Sequence, residues 1–127
     1  MNALLQEALL GTKHISHAAI IKKKDGSIKA KSTHFVITPQ EFTRIDNGFN
    51  NPSDIRQADA FLSLMDNTFK AFRADSLSIY AKNEKDGLII SQTLSHYIIG
   101  LYDSNMYGSV AVEAIEKLGD YFRKKDK

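Results

Sequence analysis

The chain has 127 residues, 43% of them hydrophobic, no cysteine, and a formal net charge of +2 with 25% charged residues. That length fits one domain whose core holds without metal or disulfide staples, and the missing cysteine excludes a disulfide framework and thiolate chemistry. The near balance of charge gives no whole-molecule attraction to nucleic acid, so an anionic partner has to be met by local clusters. No run approaches the length of a membrane span, and residues 1–10 carry no basic residue ahead of their leucines, so the chain is expected to be soluble and intracellular.

Asn2 is placed to cap a short helix in which Leu5 and Leu9, with Leu4 and Ala8 beside them, make one face and Gly11 is the stop. A helix this short is marginal alone and must dock. The apolar run of residues 18–21, the lysines Lys22, Lys23 and Lys24, the pair Asp25-Gly26 and the alternating stretch of residues 27–31 together predict a β-hairpin closed by a type I′ turn. Thr38, Pro39 and Glu41 stand in the order cap, first-turn proline, capping-box acid, and predict a helix with Phe42, Ile45 and Phe49 on its inner face. Asn51, Pro52 and Asp54 repeat that start more weakly, for a second short helix running to about Ala60.

Beyond it the texture changes to short alternating runs separated by turn residues. We read strands over residues 61–65, 68–73, 77–82, 88–94 and 96–102, the last nearly continuous in apolar side chains, as in a strand buried on both faces. Residues 107–127 form a terminal helix. Ala111, Ala114, Ile115, Leu118, Tyr121 and Phe122 make its stripe, Glu113, Glu116, Lys117, Asp120 and Lys124 face water, Ser109 is the cap, and Arg123, Lys124 and Lys125 sit where the helix dipole favours cations. The whole is an α+β layer architecture, one antiparallel sheet flanked by helices, in a single domain over residues 1–127.

The chemistry of catalysis is missing. There is no phosphate loop, nucleophile elbow or metalloprotease signature, and the carboxylates fall at helix starts and turns, where capping accounts for them. His14 and His17 have ligand-like spacing only if their loop is helical, and with no cysteine or acid pair nearby they read as solvated loop histidines; neither metal nor cofactor is expected. Two basic clusters remain, Lys22, Lys23, Lys24, Lys29 and Lys31 on the hairpin, and Arg123, Lys124 and Lys125 at the end of the chain. Lysines on a hairpin blunt an exposed strand edge; they also suit an anionic membrane surface, where each adds about 1 kcal/mol. Few aromatics interleave them, which argues against a single-strand nucleic-acid platform.

Ala18-Ala19-Ile20-Ile21 followed by Asp25-Gly26-Ser27, Thr38-Pro39-Gln40-Glu41, Asp86-Gly87-Leu88-Ile89-Ile90 and the ending Glu116-Lys117-Leu118-Gly119-Asp120-Tyr121 resemble the profilin family, over about residues 4–125. Residues 10–14, 80–84 and 123–125 resemble most the divergent fourth vertebrate branch of it. The resemblance implies a central antiparallel sheet with the N- and C-terminal helices on one face and two short internal helices on the other. It also implies a monomeric, non-enzymatic protein of the cytoplasm and cytoskeleton. In the family, one face binds monomeric actin, an aromatic groove between the terminal helices binds proline-rich segments, and basic surface binds phosphoinositides.

Several positions depart from that pattern. Leu4 and Leu5 stand where the groove has an N-terminal Trp, Lys29 replaces the Trp of the hairpin, and only Tyr121 persists. A polyproline II ligand is held by stacking on aromatics, so two lost anchors at about 2 kcal/mol each imply that proline-rich peptides no longer bind. On the actin face, Tyr80 and Lys82 replace a basic pair on one strand, Ser91 and Gln92 a second pair, and Val112 a helix Asn, with Tyr80 read as an exposed strand aromatic. The expectation is a profilin with weakened actin-monomer and proline binding that retains anionic lipid through its lysines. A conventional regulator of actin monomer and a structural module in a larger cytoskeletal assembly are the other readings.

Overall fold

The computed structural model describes residues 1–57 and 60–125. Seven antiparallel strands form one sheet: β1 (His17–Lys22), β2 (Ile28–Lys31), β3 (Leu62–Leu64), β4 (Asn67–Ala74), β5 (Ser78–Lys82), β6 (Gly87–Gln92) and β7 (His96–Tyr102), in the order β2-β1-β7-β6-β5-β4-β3. Four helices cover it: α1 (Asn2–Ala8), α2 (Pro39–Asn50), α3 (Pro52–Ile55) and α4 (Gly108–Lys125).

The period-two alternation of each strand sorts its apolar residues into two cores. Ala18, Ile20, Ile89 and Ile98 pack under α1 and α4 with Leu5, Leu9, Ala111, Ile115, Leu118 and Phe122. Ala19, Ile21, Ile90 and Ile99 pack on the other side with Ile45, Phe49 and Ile55 of α2 and α3. The terminal helices therefore share one face and the internal helices the other, as the resemblance implied. β7 lies inside the sheet, between β1 and β6, with its five middle residues buried, which accounts for its unbroken apolar run. Tyr97 extends from it into the α2 side, stacked on Phe49 at 5.2 Å between ring centroids, and its hydroxyl donates to the Asp46 carboxylate.

The capping box is formed as expected: the Thr38 hydroxyl accepts from the Glu41 N–H at 3.1 Å while the Glu41 carboxylate accepts from the Thr38 N–H at 2.8 Å. Other terminal signals are corrected. Asn2 lies inside α1, and after the 3-10 turn Leu10–Thr12 the chain reverses through Lys13, at φ 64°, and not through Gly11. Ser109 is within α4, whose first N–H groups reach back to the Tyr107 carbonyl. α3 is a single turn ending at Ile55, and part of the longer helix expected there falls on residues 58–59, outside the described ones.

The turns differ for a physical reason. A two-residue type I′ loop needs two left-handed residues, but Asp25 is not left-handed and only Gly26 is, at φ 74°. The β1–β2 connection is instead a five-residue loop, residues 23–27, in which the Gly26 N–H reaches the Lys22 carbonyl at 2.9 Å and the Asp25 carboxylate accepts from the Ser27 N–H at 3.0 Å. The tight turn with two left-handed residues is at Met65 and Asp66, φ 52° and 65°, where Leu64 pairs with Asn67.

α4 is seated partly by polar groups. Ser78 of β5 and Ser91 of β6 are cross-strand partners, both buried beneath the helix. The Glu116 carboxylate accepts from the Ser78 hydroxyl at 2.9 Å and from the Tyr80 hydroxyl at 2.9 Å, so Glu116 does not face water as expected. One turn further, Gly119 lies over Ser91, where an added Cβ would stand 2.5 Å from the Ser91 Oγ. Gly119→Ala is expected to lift the helix and to cost about 1–3 kcal/mol of stability, a value typical of overpacking, measurable as a lower urea midpoint.

Candidate functional site

Three surfaces hold the residues singled out above. The first is a groove of about 270 Å³ between the terminal helices, lined by Leu4, Ala8, Ala114, Lys117, Leu118 and Tyr121. Tyr121 is 44% exposed on its wall, so it belongs to the rim and not to the buried stripe of α4. Leu5 is fully buried below α1, so of the two leucines only Leu4 reaches the groove. Lys29 stands exposed on β2, at the irregularity where the pairing with β1 shifts, and is not among the lining residues. Phe122 meets the Tyr121 ring edge-on at 5.7 Å but is itself buried, and Tyr97 is on the opposite face of the sheet. The wall is aliphatic with one ring, crossed by the Lys125 ammonium 5.3 Å from the Tyr121 centroid.

The second surface is the β4–β5–β6 side. Tyr80 shares a face with Lys82, as alternation requires, but it is only 8% exposed, which corrects its reading as a free strand aromatic. Its hydroxyl is committed to Glu116, and its ring is covered by the Arg73 guanidinium at 5.1 Å. Burial first, then the hydrogen bond and charge of Glu116, push the Tyr80 phenol up to about 12. Ser91 is fully buried and accepts from the Arg123 guanidinium at 2.8 Å, and Gln92 is tied through its side chain to the Ser76 carbonyl at 2.7 Å. Val112 is half-buried against the helix-side core. Of the five positions only Lys82 is openly displayed, its ammonium 5.3 Å from the Phe72 ring.

Phe72, exposed at the bulge in β4, and Arg73 beside it were missed in the sequence because the bulge breaks the alternation that would have ordered them. Glu116 was missed because its partners are two hydroxyls, those of Ser78 and Tyr80, on one strand whose alternation gives no sign of the helix above it. Ser91, the partner of Arg123, did leave a signal: it closes the run Leu88-Ile89-Ile90 as a polar residue where the period demands an inward side chain.

The third surface is one end of the sheet. Lys22 pairs with His96, and His96 lies 5.2 Å from the Phe122 ring, so the register of β1 and β7 brings the hairpin lysines and the end of α4 together. Lys24, Lys29, Lys124 and Lys125 are exposed and Lys22 is half-buried. Three cations have structural engagements: Lys23 donates to the Thr93 carbonyl at 3.3 Å, Lys31 to the Phe35 carbonyl at 3.2 Å, and Arg123 to Asp120 at 2.9 Å as well as to Ser91. Residues 126–127 lie outside the described ones. The far end of the sheet gathers Asp66, Glu84, Asp86 and Asp103 together with Lys85. His14 accepts from the Tyr107 N–H at 2.9 Å and stacks on its ring, which corrects the reading of a solvated loop residue. Among the described residues no group of His, Asp and Glu is arranged to hold a metal, and no helix is long and apolar enough to cross a membrane.

A seven-stranded antiparallel sheet with terminal helices on one side and internal helices on the other, bearing a groove between the terminal pair, defines a small two-sided α+β fold. The profilin family profile matches residues 1–127, and the chain belongs to the profilin family, whose members are non-enzymatic. It is similar to Profilin-4 of Bos taurus, 42% identical over 96% of this chain and 94% of that one. Among solved structures it resembles Acanthamoeba castellanii profilin IA, with a TM-score of 0.90 and 30% identity over 99% of this chain and 98% of that one. It also shares its fold with LokiProfilin1 from a complex with rabbit actin, at a TM-score of 0.79 and 12% identity over 96% of this chain and 93% of that one.

Because Tyr80 keeps its proton far longer in the folded chain than in the unfolded one, the folded state loses stability as pH rises from about 10, where unfolded tyrosine ionises, to about 12. Tyr80→Phe removes this contribution and one hydrogen bond to a charged group. At neutral pH it should cost about 1.5 kcal/mol. Chemical denaturation across that pH range should show the shallower decline in the variant.

Proposed function

We propose that this chain is a cytoplasmic, cytoskeletal profilin in which proline-peptide binding is lost and actin-monomer binding weakened, and in which the basic end of the sheet meets phosphoinositide or other anionic lipid. The observation that carries the reading is the groove: a polyproline II helix offers flat prolines and few donors, and it would find one exposed ring, Tyr121, on an otherwise aliphatic wall. On the actin side, the exchange of basic side chains for Tyr80 and Ser91 is compounded by burial, because both groups are spent holding α4 and neither is free to meet a partner's carboxylate. The actin complex of a protein with this fold makes actin, or a relative of it, the protein partner to measure. Lys82 and the start of α4 are the contacts left for it.

The lipid assignment is supported by geometry. Two clusters about a hundred residues apart in sequence converge on one end, where Lys22, Lys24, Lys29, Lys124 and Lys125 form a cationic surface around the engaged Lys23 and Arg123, with Lys31 on the β2 edge. Each cation near an anionic bilayer adds about 1 kcal/mol, screened by salt. Vesicle co-sedimentation with a phosphoinositide should therefore fall with ionic strength. It should drop by about thirtyfold or more when Lys24→Glu and Lys124→Glu are combined, since two attractions become repulsions. Unchanged binding would remove this surface. Titrated proline-rich peptide should leave the Tyr121 ring signals unmoved at millimolar concentration. A pyrene-actin assay in low salt that showed strong monomer sequestration would restore the conventional actin-regulating role.

A further inference from the structure

The basic end is not only charged. The β6–β7 connection, residues 93–95, carries Leu94 at its corner, 74% exposed and the most exposed large hydrophobic side chain among the described residues. A lone exposed leucine needs no explanation on an ordinary surface. This one is held at a fixed place by cations on either side. The Lys23 N–H donates to the Ser95 carbonyl at 2.9 Å and the Lys23 ammonium to the Thr93 carbonyl at 3.3 Å. The Arg123 guanidinium donates to the Gln92 carbonyl at 3.2 Å and 2.8 Å from its Nε and its terminal nitrogen. Within the turn, the Thr93 N–H meets the His96 carbonyl at 2.9 Å and the His96 N–H meets the Thr93 hydroxyl at 3.0 Å. The neighbouring turn at the same end presents a second leucine, Leu77, 53% exposed, whose carbonyl accepts from the Gln92 N–H at 2.8 Å.

We propose that Leu94 is an apolar anchor that enters the interface of an anionic bilayer while the surrounding lysines meet its headgroups. This rests on the reading of the basic end as a lipid surface, and adds insertion to it. A bilayer is the occupant that fits, because its interface offers apolar depth behind a sheet of negative charge, and long cationic side chains snorkel to the headgroups beside a buried apolar tip. Of the nearby acids, Asp120 is paired with Arg123 and Asp75 with Arg73, while Asp25 keeps its charge and faces Lys22 and Lys29. A turn fixed on both sides gives up little freedom when its side chain is immobilised, so more of the apolar gain remains as affinity.

The chain contains no tryptophan, so a single indole reports its own surroundings. In Leu94→Trp, addition of phosphatidylcholine vesicles containing a phosphoinositide should shift emission to the blue and expose the indole to bromine-labelled acyl chains. In Tyr107→Trp, at the far end of the sheet, neither change should appear. Leu94→Ser, measured with the natural tyrosines, should weaken vesicle binding about tenfold, which is the loss of part of one leucine's transfer free energy, and should abolish the fraction that resists high salt. Soluble inositol hexakisphosphate should bind without any blue shift. Salt-sensitive vesicle binding with an indole that stays in water, and with Leu94→Ser equal to the parent, would overturn insertion while leaving the charged surface standing. No vesicle binding by the parent chain, or binding only to acidic peptide, would overturn both.

Discussion

The structure depends on how α4 is fastened to the sheet. Glu116 and Arg123, seven residues and about 10 Å apart along the helix, reach down to the opposed serines Ser78 and Ser91 on β5 and β6, with Gly119 letting the helix close over the second of them. An apolar stripe alone would tolerate rotation or a one-turn slip, because Ala, Ile and Leu present similar surfaces at each step. Two charged groups that lose buried hydrogen bonds on slipping do not, and the position of the helix is fixed by what it would cost to leave them unpaired. The groove wall, the burial of Tyr80 and the placement of the basic end all follow from that position.

The same fastening governs what this face can display. A side chain bound into the seat of a helix is unavailable to a partner. Tyr80 and Ser91 are both in that condition, and the polar capacity that a binding surface would display is turned inward. The groove has a complementary composition. Its shape is kept by Leu4, Ala8 and Leu118, whose packing needs only volume, whereas stacking needs rings, and just one remains at the rim.

What was legible in the sequence was whatever depends on neighbours along the chain. The capping box at Thr38 and Glu41, the doubly buried β7 and the apolar stripe of α4 are local patterns with a single physical meaning, and the strand count follows from alternation. What was hidden depends on pairing across the fold. Glu116 looks like any solvent-facing acid until β5 is placed beneath it. Leu94 looks like a continuation of β6 until the turn around Thr93 removes it from the strand. Met65 and Asp66 adopt left-handed backbone without the glycine or asparagine that would announce it, because the pairing of Leu62 with Phe69 and of Leu64 with Asn67 imposes the turn. Lys22 and Phe122 gave no hint of proximity, since it is created by the register of β1 against β7.

The separation of charge along the strands has a consequence of its own. Lys22, Lys24, Lys124 and Lys125 lie toward one end of the strands and Asp66, Glu84, Asp86 and Asp103 toward the other, where Lys82 and Lys85 offset part of them, so a molecule of small net charge is unevenly charged along its strands. Near an extended field such a particle feels torque before it feels much net pull, and it presents its cationic end to a negative surface and its acidic end to a positive one within about a Debye length, about 8 Å at physiological ionic strength. Encounters are thereby pre-aligned, and fewer of them are wasted on the wrong side of the protein.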